Sequence, residues 1–149
     1  MSFLSVLKAI HILGVVAWVG GMAFAYLVLR PSLAVLEPPQ RMLLHAQVFK
    51  RFFLIVWHAM PLIVLTGFGM VFGYYGGMAH VDWNIHVMLL LGLVMAAIFA
   101  GIVFGPYKTF KTTSDRSAMA AAADSIRRMI ALNLVLGVVT VVVAVLVLE

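Results

Sequence analysis

Four apolar runs, each about 20 residues or longer, dictate how this chain folds, because a backbone crossing hydrocarbon must satisfy its N–H and C=O groups internally. They extend approximately over 3–29, 52–73, 83–107 and 126–148. Each reads as a transmembrane helix, and together they predict an all-α, four-helix transmembrane bundle in one domain over 1–149. The residues are 65% apolar and 10% charged, against roughly a quarter charged in soluble domains. Cysteine is absent, which excludes a disulfide framework, a thiolate metal site and a cysteine nucleophile. The first run is too long for a signal-peptide core and no small-residue cleavage site follows it, so it reads as an anchor.

The formal charge of +5 does not describe a nucleic-acid binder, since the charges sit in short loops instead of on one exposed polar face. It describes topology. Nine of the ten basic residues, all but Lys8, lie between runs one and two or between runs three and four. The positive-inside rule assigns these loops to the cytoplasm and both termini to the outer side. The 74–82 loop, with Tyr74, Tyr75, Gly76 and Gly77 ahead of Trp83, reads as an outward turn beside an interfacial aromatic anchor.

Arg30-Pro31 is expected to end the first helix, and Pro38-Pro39 to keep the chain extended until an amphipathic segment begins near Arg41. Ser114 or Asp115 is the expected N-cap of one long final helix that runs through the Ala-rich 116–128 stretch into the fourth span.

Three histidines, His11, His58 and His86, fall inside or at the edge of apolar runs. Ionisable groups at membrane depth usually face the bundle interior and serve an ion, a proton path or a cofactor. With span centres near residues 18, 63 and 95 and ~1.5 Å of rise per residue, His11 lies ~10 Å and His86 ~13 Å to the outer side, whereas His58 lies ~7 Å to the inner side. The outer pair could clamp the axial positions of a haem iron between two helices. His11, Gly14, Trp18 and Gly21 share one stripe, with small residues where a flat ring needs room, and His86, Leu90, Leu93 and Ala97 form a second. Lys8, one turn before His11, would reach a propionate.

Each of these residues also has a plain structural role available. Gly14, Gly20 and Gly21 suit close helix packing, His86 suits the wet interface beside Trp83, and Lys8 can snorkel. His45 and His80 read as solvated loop residues. His58 and Asn133 have comparable inner depth, which suits a buried hydrogen bond between them; a second ligand site or a proton relay at His58 is the alternative.

The run Lys8-Ala9-Ile10-His11-Ile12-Leu13-Gly14, followed by Ala17-Trp18-Val19-Gly20-Gly21, resembles the opening helix of the CopD family of bacterial membrane proteins. The Phe49-Lys50-Arg51-Phe52-Phe53 and Leu65-Thr66-Gly67 stretches resemble that family's second helix, so the likeness extends from about residue 7 to 107. It implies a short stand-alone version of a domain linked to copper uptake or resistance, in the bacterial inner membrane, where the charge count puts both termini on the periplasmic side. The architecture is also similar to the HemJ family of four-helix haem-b proteins, which implies that the first-helix histidine, here His11, belongs to the functional site. That family and many CopD proteins carry a lysine near the start of the third helix, where this chain has His86.

The reading that combines depth and resemblance is a haem-b-binding membrane protein acting in redox chemistry or electron transfer, a candidate oxidoreductase. His11 and His86 are its axial ligands; Gly14, Trp18, Gly21 and Lys8 shape the pocket. A quinone or porphyrinogen in the bilayer is the candidate electron partner, with His58 and Asn133 handling protons. Copper binding or transport is the alternative, and a structural subunit of a membrane complex is the second alternative. Cu(I) favours soft thioethers, whereas the ten methionines are scattered without a close pair. Gly69 with Gly73 and Gly101 with Gly105 are candidate homodimer motifs.

Overall fold

The computed structural model of the protein describes residues 1–146, and the end of the fourth expected span, at 147–148, lies outside them. Four helices are long and apolar enough to cross a membrane. They are α1 (Phe3–Val35), α2 (Pro38–Gly73), the α3 helix (Trp83–Phe104) with the short α4 (Pro106–Thr112) that continues its span, and α5 (Arg116–Val145). No strand occurs among the described residues.

The ends of α1 and α2 depart from expectation at the prolines. Arg30-Pro31 does not stop α1, which passes from α-helix at Phe3–Ala23 into a π-helical turn at Phe24–Leu29 and continues through Arg30–Ser32. The Arg30 N–H donates to the Ala25 carbonyl, five residues back. The hydrogen-bond register has therefore already shifted where Pro31 withholds its donor. Pro38 and Pro39 are likewise no extended spacer. They occupy the first turn of α2, where N–H groups have no intrahelical acceptor to lose.

α2 then runs unbroken through Pro61 for 36 residues, roughly 54 Å at the α-helical rise. That exceeds the ~30 Å of hydrocarbon, so the 38–51 stretch projects beyond the membrane-crossing part. The expected amphipathic segment is the first third of this helix.

The third span breaks at Gly105-Pro106, where a Cβ on residue 105 would stand 2.6 Å from the Gly101 carbonyl oxygen. Pro106 opens α4, which packs on α5. α5 is one long helix, as its Ala-rich start predicts, capped by an Asp115 carboxylate that accepts from the Ser117 N–H at 3.1 Å.

α1 packs chiefly on α2, and α3 packs chiefly on α5. At the first seam a Cβ on Gly14 would stand 2.6 Å from Ile63 Cγ1, and one on Gly21 would fall on the Phe52 ring. Small residues here let the backbones approach. The core below Trp18 is aromatic. Phe53 meets Tyr107 edge-on at 4.8 Å, Phe49 meets Phe110 at 5.3 Å, and Phe99 joins Phe53 to Trp18 at 5.9 and 6.2 Å. These T-shaped contacts add to apolar packing and fix where the helices sit around His11 and the buried amides.

Candidate functional site

His11 is half-buried on α1 and turns its Nδ1 edge toward α2, 2.9 Å from the Ile63 carbonyl oxygen and 3.0 Å from Thr66 Oγ1. The Thr66 hydroxyl stands 2.6 Å from the Leu62 carbonyl oxygen, to which it donates its one proton. These partners settle the tautomer. An unprotonated Nδ1 would face the Ile63 carbonyl lone pair to lone pair, so Nδ1 carries the hydrogen and donates to both oxygens. Nε2 is then the nitrogen with a free lone pair.

The neighbouring residue makes this approach feasible. A Cβ on Gly67 would lie 3.3 Å from His11 Cε1, so the Thr66-Gly67 pair supplies both a hydroxyl and the space beside it.

The other expected site residues are placed differently. Trp18 is 4% exposed and packs on Phe99. Gly14 and Gly21 share the inward seam, but Ile63 and Phe52 fill the room beside them. Lys8 is exposed one turn before His11. His86 is exposed together with Leu90, Leu93 and Ala97, so this stripe faces away from the bundle. The inward residues of α3 are Asn84, Met95, Phe99 and Ile102. His11 hydrogen-bonds α2 and not α3.

His58 and Asn133 are also apart. The exposed His58 ring donates through Nδ1 to the Leu54 carbonyl of its own helix at 2.8 Å. Asn133, 1% exposed, donates from Nδ2 to the Met95 carbonyl at 3.1 Å. The buried hydrogen bond expected between them is replaced by one bond from each to a backbone carbonyl. Among the described residues, no three His, Cys, Asp or Glu side chains gather to hold an ion.

Met22, Met95 and Asn84 escape the sequence pattern, and Asn133, expected beside His58, offers a group of its own. Asn133 Oδ1 is buried without a hydrogen-bond partner, and its identity as the oxygen follows from the Met95 carbonyl, which must accept from the NH₂. Met95 lies beside it, its methyl 3.2 Å from where a Cβ on Gly137 would stand, and Val19 of α1 closes the same spot. Met22, one turn beyond Val19, is 1% exposed and belongs to the same core as Met95. Its position four residues after Trp18 was the available signal. Asn84 Oδ1 is a second buried oxygen without a partner.

Four apolar helices enclosing a tautomer-locked histidine and an orphan amide define a multi-pass membrane protein with polar groups held inside its bundle. The family model described as Copper resistance protein D, CopD, matches residues 46–147, more than half of the chain, and the protein belongs to that family. No curated protein matches the chain, and neither does any solved structure. The match contains the Phe49–Phe53 and Leu65–Gly67 stretches. It extends through α5, further than the resemblance read from sequence, and leaves the His11 helix outside.

Proposed function

We propose that this CopD-family protein binds copper within the membrane, with His11 Nε2 as the anchoring ligand. The observation that carries the reading is the pair of hydrogen bonds from Nδ1 to Ile63 O and Thr66 Oγ1. Metal-ligating histidines usually donate their other ring N–H to a carbonyl or hydroxyl, which fixes the tautomer and raises ligand basicity. Imidazole and thioether both suit copper. Met22, Met95 and the free Oδ1 of Asn133 are soft or oxygen donors deeper in the bundle, with Met22 ~16 Å from His11 along α1. Beyond them the Phe53, Phe99, Tyr107 and Phe110 layer fills the interior. The arrangement favours reception and holding of copper from the His11 end over an open route through the bundle.

Nε2 would serve haem iron equally well, but the surroundings do not fit a macrocycle clamped by His11 and His86. Ile63 and Phe52 occupy the seam, and His86 lies on the outward face of α3.

Purified protein loaded with Cu(I) against a competing chelator tests the reading. The expected result is stoichiometric retention that disappears in His11→Ala and persists in His86→Ala. A copper-free preparation with a Soret band lost in His11→Ala would replace copper by haem, and equal retention in His11→Ala and the parent would remove His11 from the site.

A further inference from the structure

At the opposite end of the bundle, α1 leaves its π-helical turn and meets the starts of α2 and α5 around a recess. It is lined by Tyr26, Arg30, Leu33, His45 and Arg127 and adjoins a cleft that reaches Arg41. Three guanidinium groups face this space, and its one carboxylate, Asp124, is paired with Arg127 at 3.0 Å. Three positive charges less one negative leave two uncompensated. Arg30 and Arg41 meet no carboxylate among the described residues.

These arginines are held in place. Arg41 donates from Nε to the Leu36 carbonyl at 2.7 Å and from Nη2 to the Ala34 carbonyl at 3.4 Å. Arg30 lies over the Tyr26 ring at 5.5 Å. Such fixing leaves the remaining donors of each fork aimed and already partly desolvated, which suits a tetrahedral oxyanion.

His45, expected in a solvated loop, instead stacks on Phe49 at 5.5 Å in the projecting part of α2. Burial, and then the charges of Arg30 and Arg127, lower its pKa below the ordinary value of 6.5. The ring is thus a neutral partner on the wall of a positively charged recess.

The π-turn points to the same place. One residue subtends about 100° in an α-helix, so the residue accommodated by Phe24–Leu29 turns everything after it by that angle. Arg30, the first residue past the turn, lines the recess together with Tyr26 and Leu29 of the turn itself.

We propose that this recess binds a phosphate group, with Arg30 and Arg41 as its principal donors and Arg127 beside them. Basic pockets between membrane helices bind the head groups of anionic lipids. A phospholipid and free inorganic phosphate share the chemistry. Leu29, Leu33 and Phe49 on the same walls offer an apolar surface that only the lipid would use. The inference does not depend on copper binding.

Native mass spectrometry of the detergent-purified chain with phosphatidylglycerol, with phosphatidylcholine and with inorganic phosphate tests it. The expected result is retention of phosphatidylglycerol over phosphatidylcholine, with Arg30→Gln and Arg41→Gln each weakening it more than tenfold. Lys50→Gln, on the exposed side of α2, should change it by no more than the roughly fivefold that one basic residue gains near an anionic surface. Arg41→Lys keeps the charge but not the fork and should fall between. Full displacement of the lipid by millimolar phosphate, with the same dependence on Arg30 and Arg41, upholds the recess and assigns it to soluble phosphate. Equal retention of the two lipids by the parent protein overturns the proposal without reference to any variant, as does equal weakening by Lys50→Gln and Arg41→Gln.

Discussion

Replacing Asn133 by leucine should make the bundle more stable. The two side chains have the same number of heavy atoms, and the position is 1% exposed. The substitution removes the 3.1 Å hydrogen bond from Nδ2 to the Met95 carbonyl. Interhelical hydrogen bonds in membranes average ~0.6 kcal/mol. The Met95 carbonyl also sits inside α3, where the helix supplies its own donor, so no new orphan is left. In the other direction, leucine removes Oδ1, which is buried without a partner and costs ~1–3 kcal/mol as an unsatisfied group. The difference is a gain of roughly 0.4–2.4 kcal/mol. Equilibrium unfolding of the purified protein in mixed micelles, followed by circular dichroism, measures it. A loss of about 1 kcal/mol or more would refute the reasoning, because it would mean that Oδ1 has a partner whose hydrogen bond the substitution destroys. Copper retention by the same variant reads the other side of the trade: a stabler protein that holds less copper would mark Asn133 as a donor kept at the expense of the fold.

Thr66→Val removes the hydroxyl that accepts from His11 Nδ1, and copper affinity should fall by about 10–100-fold, the usual cost of losing a partner behind a ligating histidine; an unchanged affinity in the chelator competition would show that Ile63 alone orients the ring. Gly14→Ala places a methyl 2.6 Å from Ile63 Cγ1 and should destabilise the α1–α2 seam by ~1–3 kcal/mol in unfolding experiments, as overpacking does. Ile63→Ala should restore much of that loss, and a purely additive double variant would argue against the contact. Arg30→Gln should move the His45 titration upward toward 6.5, since it removes one of the positive charges that disfavour the protonated ring. Imidazole NMR shifts across the pH range read this directly, and an unmoved midpoint would place Arg30 too far away to act.

The membrane spans and the single final helix were legible because apolar run length and an Asp115 cap depend only on local sequence. The prolines misled for a physical reason: Pro31, Pro38 and Pro39 break a helix interior but not a shifted register or a first turn, and a sequence does not say which of these it meets. His11 was legible as a polar group in an apolar run. Its partner Ile63 O was not, because a backbone carbonyl leaves no mark in side-chain pattern. The direction His86 faces depends on rotation, which the sequence left open. α3 is apolar all round, so the His86, Leu90, Leu93 and Ala97 stripe looks no different from the Asn84, Met95 and Phe99 face until neighbours pack on it. His58 carried the same ambiguity on α2, where the inward face turned out to be Phe53, Val56 and Ala59.

The widened turn at Phe24–Leu29 makes α1 a helix joined from two lengths that are out of phase. Deleting one residue there would let ordinary pitch run through and leave the composition of both lengths almost untouched. Each length would remain a sound helix, yet they could no longer both face their partners: seating Trp18 and Met22 in the core would swing Arg30 away from α2 and α5. The angular offset between the two lengths is therefore a heritable property in its own right, one that a single codon could erase without changing a charge.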